Sequence, residues 1–246
     1  MPTALITGAS GGVGRALAAR LRSAGWRLVL VSRDVSLLDS ADGDIVVQSD
    51  VSTPGGADAA LALAAERGAG VPEALINCAG STLIAPLGRV TADSLRQCME
   101  ANLNTAFFST QSYARAAAAA QTAGAVVVFS SVVAGMGVSN HAAIAAAKGA
   151  VEAFVRSVAA DLSHQRIRIN AIAPGLMRTP LTERMLTNER SQQNIAAQYP
   201  LGHFGEAADG AAVAQWLISE DARWITGQVI HLDGGFSAVR PMVKPA

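Results

Sequence analysis

The residues best placed to do chemistry lie in the stretch HAAIAAAK, His141 to Lys148. Helical spacing puts residues three, four and seven apart on one face, so His141, Ile144 and Lys148 share a stripe. Lys148 is the only charge between Ala142 and Val151, on a helix apolar enough to be buried, and a buried ammonium needs a partner. An isolated lysine there would carry its tip out to solvent. His141 brings an imidazole, which exchanges protons near neutrality. It equally suits a surface position ahead of the helix, with Asn140 as cap.

Such groups need a framework, and the start of the chain supplies one. Thr3 to Thr7 is a short apolar run, as expected of a buried parallel strand, and TGASGGVG follows it directly. A helical pattern then runs from Arg15 to Ser23 and closes at Gly25. Strand, glycine-rich turn and helix form the context of a dinucleotide site. Gly8 permits the tight turn, Gly12 lets the backbone approach a pyrophosphate, Gly14 allows close packing, and the helix N-terminus offers free N–H groups. The second strand, Arg27 to Val31, ends in Ser32-Arg33-Asp34, beside the expected adenosine ribose. With Ser32 where an acidic residue would hold a ribose 2′-hydroxyl, the Arg33 guanidinium favours a 2′-phosphate and hence NADP(H). Asp34 as a ribose ligand leaves NAD(H) open.

Composition bounds the alternatives. The chain has 246 residues, suited to one large α/β domain spanning residues 1–246. Lys+Arg and Asp+Glu are both 19, so no global field favours nucleic acid or an anionic membrane, and a small-molecule substrate is expected. Cys78 and Cys98 make neither a disulfide framework nor a metal-ligand spacing, which fits a reducing compartment. No apolar run is long enough to span a bilayer, and strand-like sequence from Thr3 leaves no room for a signal peptide, so a cytoplasmic location is expected.

Further strands are predicted at Ile45 to Val47 and Ala125 to Phe129, Ala74 to Gly80 reads as a strand running into a small-residue turn, and a helix is predicted over Ala57 to Arg67. TGASGGVG, Asp50-Val51 and NCAG (Asn77 to Gly80), in this order and spacing, resemble the short-chain dehydrogenase/reductase family. The resemblance continues through Asn102 in EANLNTAFF, Ser130-Ser131, Lys148, the NAIAPG turn with Pro174 and Gly175, Thr179, and TGQVIHLDGG. It covers essentially the whole chain. It implies a doubly wound parallel sheet of Rossmann type with helices on both faces, and a ligand at the carboxyl ends of the strands. It further implies cofactor contacts from Gly8, Ser10, Gly12, Val13, Gly14, Ser32, Arg33, Asp50, Val51, Asn77, Ala79, Gly80, Lys148, Pro174, Gly175 and Thr179.

In that family an Asn, a Ser, a Tyr and a Lys act together, the last two spaced YxxxK. By resemblance Asn102, Ser131 and Lys148 are present, but Ile144 stands at the tyrosine position. A hydrocarbon side chain transfers no proton, which puts the family's standard carbonyl chemistry in doubt at its central step. The only tyrosines are Tyr113, expected between helices, and Tyr199, which could reach the cleft from above. His141 is better placed by its spacing, and enoyl reductases with a tyrosine seven residues before the lysine resemble this arrangement. Reduction of a conjugated double bond needs a donor at an enolate oxygen, and Ser131 with His141 could supply that pair. Two readings stay beside it: ketone/alcohol chemistry of the 3-oxoacyl reductase kind using water or Tyr199, and a catalytically impaired NADP-binding module.

Residues 176–205 are expected to cover the substrate, with short helices at Thr182 to Met185 and Ser191 to Gln198 and an apolar lining from Met177, Leu181, Met185, Leu186 and Ile195. Glu206 to Ser219 reads as a helix with Trp216 and Leu217 turned inward, and Val229 to Leu232 as the last strand. The Ala-rich helices around Tyr113 to Ala120 and after Ala142 carry more apolar surface than one sheet face covers. A homotetramer or homodimer would bury it.

Overall fold

Hydrophobic runs bounded by small polar turns become the strands of one parallel sheet in the computed structural model, which describes residues 1–240. The strands are β1 (Thr3–Thr7), β2 (Arg27–Ser32), β3 (Ile45–Gln48), β4 (Ala74–Asn77), β5 (Gly124–Phe129), β6 (Ile167–Pro174) and, after the two-residue pair β7 (Met177–Arg178) and β8 (Gly205–Glu206), β9 (Val229–Leu232). Their order in the sheet is β3-β2-β1-β4-β5-β6-β9. Strand order reverses between β1 and β4, and a ligand cleft belongs outside the carboxyl ends at that point. Residues 241–246, part of the expected single domain, lie outside the described residues.

Alternate residues of each strand serve opposite faces. Leu5, Val29, Val31, Val126 and Val128 pack beneath α2 (Pro54–Glu66), α4 (Thr105–Ala120) and α5 (Ala142–Leu162). Ala4, Ile6, Leu28, Leu30 and Val127 meet α1 (Gly12–Ser23) and α7 (Ala207–Ile218) on the other face. The expected doubly wound Rossmann-type α/β architecture is therefore present. No helix among the described residues is long and apolar enough to cross a membrane.

Several boundaries differ from the sequence expectation. α1 starts at Gly12 rather than Arg15, because its glycines are already helical. α2 starts at Pro54, where Thr53 caps the Gly56 N–H and proline occupies the first turn. α3 (Ala92–Met99) was not anticipated, although Thr91 and Ser94 form a reciprocal capping box at its start. Trp216 is 39% exposed rather than inward, whereas Leu217 is fully buried. In the 176–205 segment, β7 and β8 clamp the two ends together. Between them lie a short helical turn at Glu183–Met185 and α6 (Glu189–Ala196), capped by Asn188.

Candidate active site

The carboxyl edge of the sheet opens into two adjoining chambers of about 570 and 380 Å³, both lined by residues Cys78 to Thr82 from the loop after β4. The larger collects Gly8, Ser10, Ser32, Arg33, Asp50 and Val51. The smaller collects Val13, Asn102, Ser131, His141, Lys148, Pro174, Gly175, Thr179 and Tyr199. Residues from Gly8 to Tyr199 thus share one cleft, as the strand-end placement predicted.

The larger chamber has the features of a phosphate and ribose site. Gly8 turns with φ +64°, and a side chain there would strike the Ala79 backbone at 2.5 Å. Gly11 caps α1 without a side-chain hydrogen bond, and no acidic residue stands in the first turn, so its N–H groups and positive dipole end suit an anion. The Ser10 and Ser32 hydroxyls lie 3.0 Å apart on the chamber wall next to Arg33. Asp34, which kept a ribose contact open, does not line the chamber; its carboxylate caps the next turn, accepting from the Ser36 N–H and hydroxyl at 3.0 and 2.6 Å.

Three of the expected cofactor residues do not line the cleft. Asn77 is a buried strut between strand and helix: its side-chain oxygen accepts from the Thr7 hydroxyl, and its amide donates to Thr105 at 3.3 Å. Gly12 lies against Thr179, whose Cβ would be 2.8 Å from an added methyl group, and Gly14 lies against the Gly8 carbonyl. All three shape the wall from behind it.

In the smaller chamber Asn102 stands in a π-helical widening, Glu100–Asn104, that links α3 to α4. Its amide donates to the Cys98 carbonyl at 2.8 Å, spanning the widened turn, and its side-chain oxygen accepts from the Ser81 N–H at 3.3 Å. Such bulges recur at functional sites. Ser131 follows β5 in extended conformation and accepts from the Val133 N–H at 3.4 Å.

Lys148 is buried, and its Nζ donates to the Phe129 carbonyl at 2.7 Å. Burial pulls its pKa down from 10.5 to about 8, opposed by the neighbouring Cys98. One turn earlier, Ile144 is 4% exposed and packs among Cys98, Val132, Val133, Ala143 and Ala147. No hydroxyl occupies its position on α5.

The helix does not extend to His141. α5 begins at Ala142, His141 is its N-cap residue, and the preceding Asn140 is left-handed with φ +66° rather than the cap. The His141 carbonyl accepts the first helical hydrogen bond, from the Ala145 N–H at 2.8 Å. Its Nδ1 lies 2.7 Å from the Ser139 carbonyl, which fixes Nδ1 as the protonated nitrogen. The ring still lines the chamber, but as a neutral imidazole its Nε2 accepts, and it donates only as imidazolium.

Most of the remaining wall is apolar, from Ile84, Val138, Leu181, Met185, Ile195 and Phe236, with Ser130, Thr182 and Gln198 as polar members. Leu186, expected among them, is buried away from the chamber. Phe236 and Ile84 were not anticipated, because neither sits in a motif. Of the two tyrosines, Tyr113 is fully buried with its hydroxyl on the Pro72 carbonyl at 2.9 Å, whereas Tyr199 lines the chamber.

Comparison with known proteins agrees with this architecture. A family profile described as "Enoyl-(Acyl carrier protein) reductase" matches residues 8–237. The chain is 30% identical to L-xylulose reductase of Bos taurus over 239 residues, 96% of each chain. It is 33% identical to the 3-oxoacyl-(acyl-carrier-protein) reductase MabA of Mycobacterium tuberculosis over 231 residues, 94% of this chain and 91% of the relative. The solved structure of 4-hydroxyisoleucine dehydrogenase complexed with NADH superposes with a TM-score of 0.91 at 27% identity, covering 98% of this chain and 100% of that one. The chain belongs to the short-chain dehydrogenase/reductase family of oxidoreductases.

Proposed function

We propose that this protein is an NADP(H)-dependent reductase of a small, apolar, conjugated carbonyl compound, acting on its carbon–carbon double bond. The observation that carries the reading is the buried, hydrocarbon-packed Ile144 in a site that keeps Asn102, Ser131 and Lys148. A carbonyl reductase must protonate the oxygen that its hydride acceptor carries, and nothing at position 144 can do so. Hydride addition to a β carbon instead leaves an enolate, whose oxygen needs hydrogen-bond donors rather than an acid at that position. The matching profile's enoyl reductase description names related chemistry.

Bound NADPH would supply the hydride. The α1 N-terminus and the Ser10, Ser32 and Arg33 side chains would hold its phosphates, with Lys148 beneath the nicotinamide ribose. The second donor group of Lys148 is available there because Phe129 takes only one of its three protons. Ser131 donates to the substrate oxygen, and His141 adds a second donor only while its ring is charged. The apolar walls exclude water and select an uncharged substrate.

Cofactor choice is testable separately. Arg33→Ala weakens NADPH binding by about 10- to 100-fold, the worth of a charge-assisted hydrogen bond of roughly 1.5–3 kcal/mol. NADH binding, measured by the same fluorescence titration, stays unchanged. Equal losses for both cofactors would mean that Arg33 does not read the 2′-phosphate.

The reading is of a cytoplasmic homo-oligomer, supported by two free cysteines and by the outer face of α4 and α5, where the 39%-exposed Phe107 meets Phe108 edge to face and Phe154 at a tilt. A tetramer or dimer in light scattering supports it. Ketone/alcohol chemistry is the second reading, favoured by Tyr199 in the chamber and by the names of the reductase relatives. The two part at the product formed from a conjugated enone: a saturated ketone or an allylic alcohol.

A further inference from the structure

We infer that Tyr199 is the proton donor of this site, doing from the covering segment what no residue at position 144 can do from α5. The inference rests on the double-bond reading for its substrate, but its geometry is independent of that reading. Three contacts hold the ring. The phenol oxygen accepts the Leu176 N–H at 2.7 Å, the ring tilts against Phe236 with centroids 5.1 Å apart, and its edge lies over Gly175. A Cβ at position 175 would come within 2.8 Å of the ring, so only glycine there lets the phenol settle so close to the strand end. The side chain is 8% exposed, and what it faces is the chamber shared with Ser131 and Lys148.

The hydrogen bonding leaves one role open. With the oxygen accepting from Leu176, the hydroxyl proton has no acceptor among the described residues and is available to a ligand. Once hydride has reached the β carbon, the former π pair makes the α carbon of the enolate basic. The phenol O–H bond breaks as the α C–H bond forms, and the electron pair stays on the phenolate oxygen. The Leu176 N–H stabilises that oxygen, and solvent returns the proton. The net change is one hydride and one proton added across the double bond. Burial and the nearby Asp233 hold the phenol above its usual range, so it stays protonated until a base as strong as an enolate forms. Cys78, Lys148 and His141 are the other titratable groups that line the chamber with it, and burial pushes the Cys78 thiol up to about 12, which keeps it neutral.

The test needs two readouts. The chain has only two tyrosines, and burial raises the Tyr113 phenol far out of the way, so the first phenolate absorbance to appear on raising the pH belongs to Tyr199. Tyr199→Phe serves as the blank. Adding NADP⁺ should move that titration to lower pH, because the oxidised ring brings positive charge into the chamber, while NADPH should move it less. An unmoved titration would place the phenol outside the site and overturn the inference. In kinetics, Tyr199→Phe keeps the ring and its packing, so NADPH binding should stay within about twofold while kcat falls by about 100-fold or more. The comparison is made with whichever substrate the wild type reduces, enone or ketone, so a wild type inactive on enones counts against the double-bond reading alone. Retention of kcat in Tyr199→Phe counts against Tyr199.

Discussion

Lys148→Met removes turnover, by about 10²- to 10³-fold, and at pH 7 it makes the ligand-free protein more stable. Both effects come from the same burial. Lys148 is 7% exposed and its ammonium holds one acceptor, the Phe129 carbonyl. Its pKa falls from 10.5 to about 8 because the charged form is desolvated. A folded-state value below the unfolded one means that the native protein binds fewer protons between about pH 8 and 10.5, so stability rises with pH across that window. Below it the charge costs up to about 3 kcal/mol, a net figure that already contains the hydrogen bond it keeps. Methionine has similar length and no charge to desolvate. Urea unfolding should therefore favour the variant at pH 7 and bring the two proteins together near pH 10. A variant that is less stable at both pH values would show that Lys148 is not desolvated in the folded protein. The lysine is retained against its own folding cost, which a ligand with hydroxyl or phosphate oxygens beside it would offset.

Ile144→Tyr creates carbonyl reduction where there was little. One helical turn separates the new phenol from Lys148, and both positions line the chamber with Ser131. A positioned general acid contributes about 10²- to 10⁴-fold, which sets the expected gain in NADPH oxidation with a simple ketone. The cost is overpacking. Ile144 sits in a filled cluster with Cys98, Val132 and Val133, and a larger ring there should cost about 1–3 kcal/mol, seen as a lower Tm. A folded variant with no gain would mean that the chamber no longer presents a carbonyl to that position, and would favour the double-bond reading further.

Motifs with their own physical signature carried most of the fold and half of the site. The glycine turn, the strand-end residues and the NCAG loop were legible because each combines a backbone demand with a strand-to-helix context, and all meet at the point where strand order reverses. Ile144 stood out only because the resemblance supplied the residue that it replaces. Asn77 stands behind the cleft wall for a reason the sequence cannot show: a buried asparagine can tie β1 to α4 as readily as it can hold a cofactor. The 176–205 segment was least legible. Met177 and Leu186 look alike in sequence, yet one lines the chamber and the other is packed away, which depends on how β7 and β8 pin the ends. Tyr199 was visible as one of two tyrosines, but its hold on Leu176 across 23 residues belongs to tertiary structure. His141 fell one residue outside the helix assumed to carry it, and its tautomer follows from that shift.

The most direct measurement is the product of NADPH oxidation by the purified protein with an uncharged conjugated enone, identified by NMR. The expected product is the saturated ketone, with hydride at the β carbon and, in D₂O, deuterium at the α carbon. Allylic alcohol as the product, or NADPH binding without turnover of any enone, would contradict it.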